Sequence, residues 1–305
     1  MSRSASHKKI IVAAVVLVLL ALIVAAYFSY TKKSRAVSVI VPAKPVQTLP
    51  AKLPAKPVVS YVSITGTMYH TIKITSKDPV TELAVLVGSD NIQTVFEINR
   101  IDAADIPPGR VLVVPNSFDD LSALSPFPAT LASAADIPKL MIVSLQMQAF
   151  AIYDSGTLTR WGGVNTGKQS TPTPDQLYFA NWKGKSVISS EDDSWVLPWY
   201  VNLDNTRGVS MHQYALPGYP ASHACIRMFN TDAEWVYNWV DQWHVSDDGE
   251  TVLSHGTPVL IFGQYGYGET APWKKLAKDP NAATLSPATL ETIVSANKEA
   301  IFIKS

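Results

Sequence analysis

Hydrophobic positions are unevenly distributed along the chain, and the longest apolar run lies near its start. Ile10 to Phe28 is an unbroken stretch of 19 residues without a charge. As a helix it is about 28 Å long, which matches the hydrocarbon thickness of a bilayer. A cleavable signal peptide is the alternative, but Tyr27 to Tyr30 do not look like a small-residue cleavage site, so an uncleaved anchor is favoured. We therefore predict a short tail and a transmembrane helix over residues 1–33.

Prolines and lysines alternate in the next segment, residues 34–68. Proline fixes φ and favours extended polyproline geometry, so this pattern predicts a semi-rigid, solvated spacer. A plain disordered linker is the alternative.

Residues 69–115 carry the pattern of a small module with the order strand, helix, helix, strand. Asp78-Pro79 is typical of a helix start, and apolar residues follow at helical spacing up to Gly88. Asp90 with Gln93 predicts a capping box for the second helix. Strands are predicted over His70 to Ile74 and, after Pro107-Pro108-Gly109, over Arg110 to Val114.

The remainder begins with a predicted linker, residues 116–137. Alternating apolar residues from Lys139 to Tyr153, followed by the turn residues Asp154-Ser155-Gly156, indicate a hairpin. Thr231 and Glu234 predict a capping box for a helix that carries Trp235, Val236, Trp239, Val240 and Trp243 on one face. That spacing favours core packing over a sugar-binding platform. A strand is predicted from Val259 to Phe262, and a helix from Ser286-Pro287 toward Ala300 within a C-terminal extension, residues 264–305.

Composition narrows the classes of protein. With 305 residues and 47% apolar content the chain is long enough for two domains and too hydrophobic to be disordered overall. Its formal net charge is zero, which does not suggest a nucleic-acid binder. One cysteine excludes an intramolecular disulfide.

That cysteine, Cys225, is the strongest candidate for chemistry. It lies two positions after His223 and thirteen after His212. The nucleophilic form of cysteine is the thiolate, and a nearby imidazole can accept the thiol proton. The alternative is a small buried hydrophobic residue, which is the usual role of a free cysteine.

The sequence Ser222-His223-Ala224-Cys225-Ile226-Arg227 resembles the Ser/Thr-His-Gly-Cys-Ile-Arg signature of the L,D-transpeptidases, the YkuD-type enzymes that cross-link bacterial cell wall. The stretch 165–174 is similar to the early segment of this family, and 256–261 to its closing strand. The resemblance covers residues 138–263 and implies an α+β fold in which the catalytic domain is mainly β.

The resemblance also implies roles for individual residues. Cys225 is the expected nucleophile and His212 the general base, oriented by the backbone carbonyl of Gln213. His223 is expected beside the nucleophile, and backbone amides near Ala224 and Cys225 are expected to stabilise an oxyanion. Ser222 belongs to the same motif and is expected to help form the substrate site.

Two further residues are candidates for substrate binding. Arg227 can bind a substrate carboxylate, although a structural ion pair is an equally good interpretation. Tyr214 can line a cleft or pack against the prolines of the loop 214–220. The acidic cluster Glu191-Asp192-Asp193 has no histidine at ligand spacing, so neither a metal nor a cofactor is expected.

The chain departs from the family signature at two positions. Ala224 replaces the usual glycine, which introduces strain if φ is positive there and little change if φ is negative. Gln213 replaces a glycine or serine after the histidine, and a backbone carbonyl can keep its role through such a change.

The module at residues 69–115 resembles LysM, a family that binds N-acetylglucosamine-containing glycans such as peptidoglycan. The resemblance depends on the element order, on Asn99 after the second helix and on the Pro-Gly turn. Ser76-Lys77-Asp78 replaces the usual Gly-Asp opening turn. A structural domain without a ligand is the alternative.

Three functions are compatible with the sequence. In the first, the resemblance implies a membrane-anchored L,D-transpeptidase that joins the third residues of two peptidoglycan stem peptides. In the second, water or another amine resolves the same acyl-enzyme, which gives a hydrolase or an enzyme that attaches protein to the wall. In the third, the chain is a peptidoglycan-binding protein without catalysis. The family's substrate places the bulk of the chain on the extracytoplasmic side of the cell membrane.

Overall fold

A computed structural model describes residues 68–304. The predicted anchor and the spacer up to residue 67 lie outside the described residues. Among the residues that are described, none of the helices is long and apolar enough to cross a bilayer.

The N-terminal module has the element order that its pattern predicts. It consists of β1 (Tyr69–Lys73), α1 (Pro79–Val87), α2 (Ile92–Asn99) and β2 (Val111–Pro115), with the two strands antiparallel. The side chain of Asp78 accepts a hydrogen bond from the amide of Thr81, so the predicted cap of α1 is confirmed. The resemblance of the module to LysM remains a prediction.

The predicted capping box of α2 is wrong. A 3₁₀ turn over Ser89–Asn91 precedes the helix, and the residue at its N-cap, Asn91, makes no side-chain cap. The amide of Gln93 instead donates to the carboxylate of Glu97, one helical turn further along.

Within the described part of the chain, the largest sheet has nine strands in the order β6-β13-β3-β4-β5-β10-β9-β8-β7. Their bounds are β3 Lys139–Ser144, β4 Ala149–Asp154, β5 Thr157–Asn165, β6 Gln176–Phe179, β7 Lys183–Ile188, β8 Val196–Asp204, β9 Val209–Gln213, β10 Ile226–Met228 and β13 Pro258–Phe262; β11 (His244–Val245) and β12 (Val252–Ser254) form a separate pair. Most neighbours are antiparallel, but β10 runs parallel to β9 and β13 runs parallel to β3. The predicted α+β class with a mainly β catalytic region is observed.

The predicted hairpin forms between β4 and β5. Ser155 and Gly156 at its turn both have positive φ, at 47° and 76°, which is the geometry that tight hairpin turns require. The apolar stretch before this turn forms two strands, β3 and β4, rather than one. A turn over residues 145–148 separates them.

Apolar side chains of β3, β4 and β13 alternate between two buried clusters, one on each face of the sheet. Helix α3 (Asn230–Trp239) packs on one face through Ala233 and Val236, and α4 (Pro287–Lys304) packs on the other through Leu290 and Val294. The C-terminal extension is therefore part of the core.

The predicted capping box of α3 is also wrong. The helix begins at Asn230 with Phe229 at the N-cap and no side-chain cap, and Trp243 lies beyond its end. Trp235 and Trp239 stack on each other and are partly buried against the core cluster, as the prediction of core packing requires.

The segment 116–137 connects the module to the sheet, but it is packed rather than solvated. Leu124, Phe127, Leu131 and Ile137 are buried in the same cluster as α4. The prediction of a linker here is therefore wrong. These apolar residues follow neither a helical nor a strand period, so the local sequence did not indicate that they are buried.

Polar side chains of α2 and of the turn that follows it join the module to the nine-stranded sheet. Arg100 is buried and donates to the carbonyl of Met147, while its own carbonyl accepts from Asn165. Buried Glu97 accepts a hydrogen bond from the amide of Gly163. The module and the sheet therefore share a polar interface.

Candidate active site

Two neighbouring parallel strands bring the motif residues together. Arg227 of β10 lies opposite His212 of β9, and Cys225 immediately precedes β10. Because side chains alternate along a strand, Ser210, His212, Cys225 and Arg227 share one face. The intervening residues Met211 and Ile226 point into the core, where both are buried.

A cavity of about 300 Å³ opens on this face. Its lining includes Ser210, His212, Tyr214, Ser222, His223, Cys225 and Arg227 together with Glu191, Trp195 and Arg207. Cys225 is partly exposed, so the thiol is accessible from the cavity. The alternative interpretation of this cysteine as a sealed core residue does not hold.

The thiol of Cys225 has two hydrogen-bond partners in the described region, and neither is an imidazole. Its Sγ lies 3.1 Å from Oγ of Ser210 and donates to the carbonyl of Gly208 at 3.3 Å. Burial raises the pKa of Cys225 above its ordinary value, while hydrogen bonds from Ser210 lower it in part. At neutral pH the side chain of Cys225 is therefore a thiol.

His212 is buried and neutral. Its Nδ1 lies 2.9 Å from the carbonyl oxygen of Gln213, which is the contact expected of an orienting carbonyl. Since a carbonyl only accepts, Nδ1 carries the proton and Nε2 keeps a free lone pair. Burial lowers the pKa of His212 to about 4, and the charge of Arg227 adds to this effect. The residue can therefore accept a proton at Nε2.

The turn that carries Cys225, residues 222–225, contains backbone strain. Ala224 has φ of 87°, in the region that favours glycine. A non-glycine residue there costs roughly 1–2 kcal/mol. The departure from the family signature at this position is therefore the strained case.

The early segment of the catalytic region supports this turn. Gly167 pairs with Ser222 as a parallel bridge, and the amide of Lys168 donates to the carbonyl of Ser222 at 3.0 Å. Thr173 donates through Oγ1 to the carbonyl of Ala224 at 2.8 Å and accepts from the amide of Gly167. These contacts hold the strained residue from both sides.

His223 lines the same cavity but has a different environment from His212. Its Nε2 lies 3.0 Å from Nζ of Lys168. An ammonium group only donates, so Nε2 accepts and the ring proton lies on Nδ1. In the described region that buried Nδ1 has no hydrogen-bond partner. His223 can therefore donate a hydrogen bond from Nδ1 to a ligand in the cavity.

Arg227 faces the cavity and forms no direct ion pair among residues 68–304, although the charge of Asp105 interacts with it. Its guanidinium lies 4.6 Å from the centroid of the Tyr214 ring, and Nη1 donates to the carbonyl of Ala215 at 3.3 Å. The structural ion pair considered for this residue is not observed in that range. The other N–H donors of its guanidinium remain available for an anionic ligand.

Other candidates lie apart from the nucleophile. Asp192 and Asp193 occupy an exposed loop, and no group of acidic or histidine side chains in the described chain has the arrangement of a metal site. Tyr219 is exposed. His70 and His255 contact Asn116 and Phe179, away from the cavity.

Sequence reasoning missed Ser210 and Gly208, the two partners of the thiol. Ser210 lies two residues before His212, so the period of a strand was the signal that could have placed both on one face. The role of Lys168 and Thr173 as supports of the nucleophile turn was also not predicted, because it depends on the long-range pairing of residues 167 and 222.

Comparisons with known proteins identify this region. Residues 138–261 match the model of the YkuD family, described as the L,D-transpeptidase catalytic domain. This match confirms the family resemblance of the catalytic region. A comparison with curated proteins gave no match.

Three L,D-transpeptidases are among the solved structures that this chain matches. The protein from Stackebrandtia nassauensis is 20% identical, with a TM-score of 0.35, over 49% of this chain and 62% of its own. The one from Mycobacterium smegmatis is 20% identical, with a TM-score of 0.33, over 41% and 59%. The one from Mycobacterium tuberculosis H37Rv is 21% identical, with a TM-score of 0.33, over 51% and 73%. The chain thus spans about three fifths of the length of the first two.

Proposed function

We propose that this chain is a membrane-anchored L,D-transpeptidase that acts on peptidoglycan stem peptides through a Cys225 acyl-enzyme and forms links between the third residues of two stems. The observation that supports it is the cavity shared by a partly exposed thiol, two imidazoles and an arginine that forms no direct ion pair in the described chain. The YkuD match of residues 138–261 supports the reaction class.

In the proposed reaction, the sulfur of Cys225 attacks the carbonyl carbon of the third stem residue as Nε2 of His212 accepts the thiol proton. The amides near Ala224 and Cys225 donate to the oxyanion that forms. When this intermediate collapses, the C–N bond breaks, the proton passes to the departing D-alanine amine, and a thioester remains.

A second stem then supplies an amine that attacks the thioester. His212 removes the proton of that amine, the new amide bond forms, and the sulfur leaves and is reprotonated. Arg227 binds a carboxylate of the donor stem at the Tyr214 side of the cavity. Ser222 supports the site through its hydroxyl group, which donates to the carbonyl of Cys225, and Gln213 acts through its backbone carbonyl, which accepts from Nδ1 of His212.

The remaining parts of the chain support the same activity. The apolar run Ile10 to Phe28 anchors the protein in the cell membrane with residues 69–305 on the extracytoplasmic side, where peptidoglycan lies. The module at residues 69–115 binds the glycan strands of the wall. Failure of the full-length protein to sediment with insoluble wall material would remove the glycan-binding part of the proposal.

Acylation tests the proposal directly. A carbapenem is expected to form a stable covalent adduct with the purified full-length protein, and Cys225→Ala is expected to form none. Equal adducts on both proteins, or none on the wild type, would refute the role of Cys225.

Incubation with tetrapeptide-bearing wall fragments then identifies the acceptor. Joined stems with free D-alanine support transpeptidation, whereas tripeptides alone indicate hydrolysis. Fragments that remain unchanged while the carbapenem adduct forms would contradict the choice of substrate.

A further inference from the structure

The loop between the candidate base and the nucleophile, residues 214–220, is held by the N-terminal module. The amide of Asp102 donates to the carbonyl of Leu216 at 2.9 Å. The amide of Leu216 in turn donates to Oδ2 of Asp102, also at 2.9 Å. Leu216 is fully buried in the hydrophobic cluster of the module, together with Ile101. The middle of the loop is thus anchored by polar and apolar contacts at one position.

Neighbouring residues extend this anchor along the loop. Ile101 pairs with Pro217 as an antiparallel bridge, and the Arg110 guanidinium donates to the carbonyl of Pro217 at 3.2 Å. The amide of Gly218 donates to the side chain of Asn165 at 3.2 Å. Each of these contacts fixes a backbone group of the loop.

The same loop fixes the arginine of the cavity. The carbonyl of Ala215, next to Leu216, accepts from Nη1 of Arg227 at 3.3 Å. The ring of Tyr214 packs on the guanidinium, whose Cζ lies 4.6 Å from the centroid of the ring. A contiguous set of contacts therefore runs from Asp102 through Leu216 to Arg227.

We infer that Asp102 is a positioning residue for substrate recognition: it holds the loop 214–220, and through Ala215 and Tyr214 it holds Arg227 in the orientation that binds an anionic group of the donor. The N-terminal module is thereby a structural part of the active site as well as a predicted glycan binder. This inference rests on the proposed function, because it assigns the carboxylate of a stem peptide to Arg227.

The physical basis is preorganisation. An arginine side chain loses rotamer freedom when it binds a carboxylate, and a guanidinium already fixed by a carbonyl and an aromatic ring loses less. When the loop is released, the thiol of Cys225 keeps its own partners, Ser210 and Gly208, which lie outside the loop. Release of the loop should therefore weaken the recognition of anionic donors and leave the intrinsic reactivity of the thiol unchanged.

Hydrogen exchange of the full-length protein tests the anchor itself. In Asp102→Ala, faster exchange is expected in the peptide that covers residues 214–220. Asp102→Asn keeps one acceptor oxygen, so its exchange rate in this peptide should lie between those of Asp102→Ala and the wild type. Asp78→Ala is the matched control, because it removes a carboxylate that caps α1 of the same module and contacts Thr81 rather than the loop. Equal exchange in Asp102→Ala and the wild type would overturn the anchor.

Two electrophiles then test the consequence. A carbapenem carries a carboxylate, whereas iodoacetamide is neutral and reports only the reactivity of the thiol. Asp102→Ala is expected to slow acylation by the carbapenem about tenfold and to change alkylation by iodoacetamide less than twofold. Asp78→Ala should leave both rates as in the wild type. Equal loss of both rates in Asp102→Ala would indicate a structural defect and refute a role in recognition.

A double-mutant cycle identifies the route. If Asp102 acts through Arg227, then adding Asp102→Ala to Arg227→Met should slow carbapenem acylation no further. If the double variant instead loses rate by the product of the two single losses, the two residues act independently. If the wild type forms no adduct at all, the proposed function and the role in recognition fall together, while hydrogen exchange still decides whether the module holds the loop.

Discussion

The protonation state of the resting site leads to a prediction that separates two ways of activating a cysteine. The pKa of Cys225 lies above its ordinary value of 9.0, and that of His212 is about 4. Moving the proton from sulfur to nitrogen at rest is therefore unfavourable, because burial destabilises both charged forms. We therefore expect a neutral thiol and a neutral imidazole at rest, with proton transfer accompanying attack on the substrate.

This state fixes the expected pH dependence. Carbapenem acylation should show an acidic limb near pH 4, where His212 gains its proton, and no loss of rate between pH 5 and pH 8. At pH 5 only about a tenth of the molecules carry the imidazolium, so the base is already available. Alkylation by iodoacetamide, which depends on the thiolate, should instead keep rising with pH through 8.

Stopped-flow acylation and timed alkylation from pH 4 to pH 9 measure both profiles, with His212→Ala as the comparison. In that variant the limb near pH 4 should disappear, and carbapenem acylation should be slower by roughly 10²–10⁴-fold. An iodoacetamide profile that levels off below pH 7 would reveal a stable thiolate. That result would refute the neutral pair deduced from the burial of both groups.

Three further predictions concern stability, measured by denaturant unfolding. Gly167→Ala places a Cβ against the backbone carbonyl of Thr171 and should lower the free energy of unfolding by about 1–3 kcal/mol. The control is Gly184→Ala, whose Cβ meets only the flexible side chain of Val187. Equal stability of the two variants would contradict tight packing around Gly167. Burial raises the pKa of Glu97 well above its ordinary value of 4.5, so the free energy of unfolding should fall as pH rises above about 5, and Glu97→Gln should flatten this decline; an unchanged slope in the variant would refute the prediction. Ala224→Gly gains roughly 1–2 kcal/mol from relieved strain and loses about as much in chain entropy and methyl burial. Its stability should stay within about 1 kcal/mol of the wild type, and a larger loss would show that the methyl group is required.

Local signals in the sequence predicted local structure well. Asp78-Pro79 began a helix and Ser155-Gly156 formed a hairpin turn because each needs only neighbouring residues to form its bonds. The family resemblance grouped His212 and Arg227 with Cys225, and the three residues line one cavity. A parallel pair of strands had to bring these residues together, and the family resemblance supplied that knowledge.

Features that depend on distant contacts could not be predicted. Glu97 and Arg100 are charged, so their composition favours a solvated surface, yet both are buried because partners from the catalytic region satisfy them. Leu124 and Phe127 lie in a segment without a period and still fill the core. The two predicted capping boxes do not form. At α2 a 3₁₀ turn over Ser89–Asn91 includes the predicted cap, Asp90, and α3 begins at Asn230, one residue before the predicted cap, Thr231.

Asn165 explains how two supports of the active site act as one. It is fully buried at the end of β5, where its Nδ2 donates to the carbonyl of Arg100 and its Oδ1 accepts from Gly218 of the loop. The next residues along the chain, Thr166 and Gly167, accept from and pair with Ser222 of the nucleophile turn. Since an amide side chain supplies a donor and an acceptor, this position links the module, the loop and the turn without a buried charge. The strain at Ala224 can therefore persist, because the backbone on each side of it is fixed by groups that are themselves hydrogen-bonded.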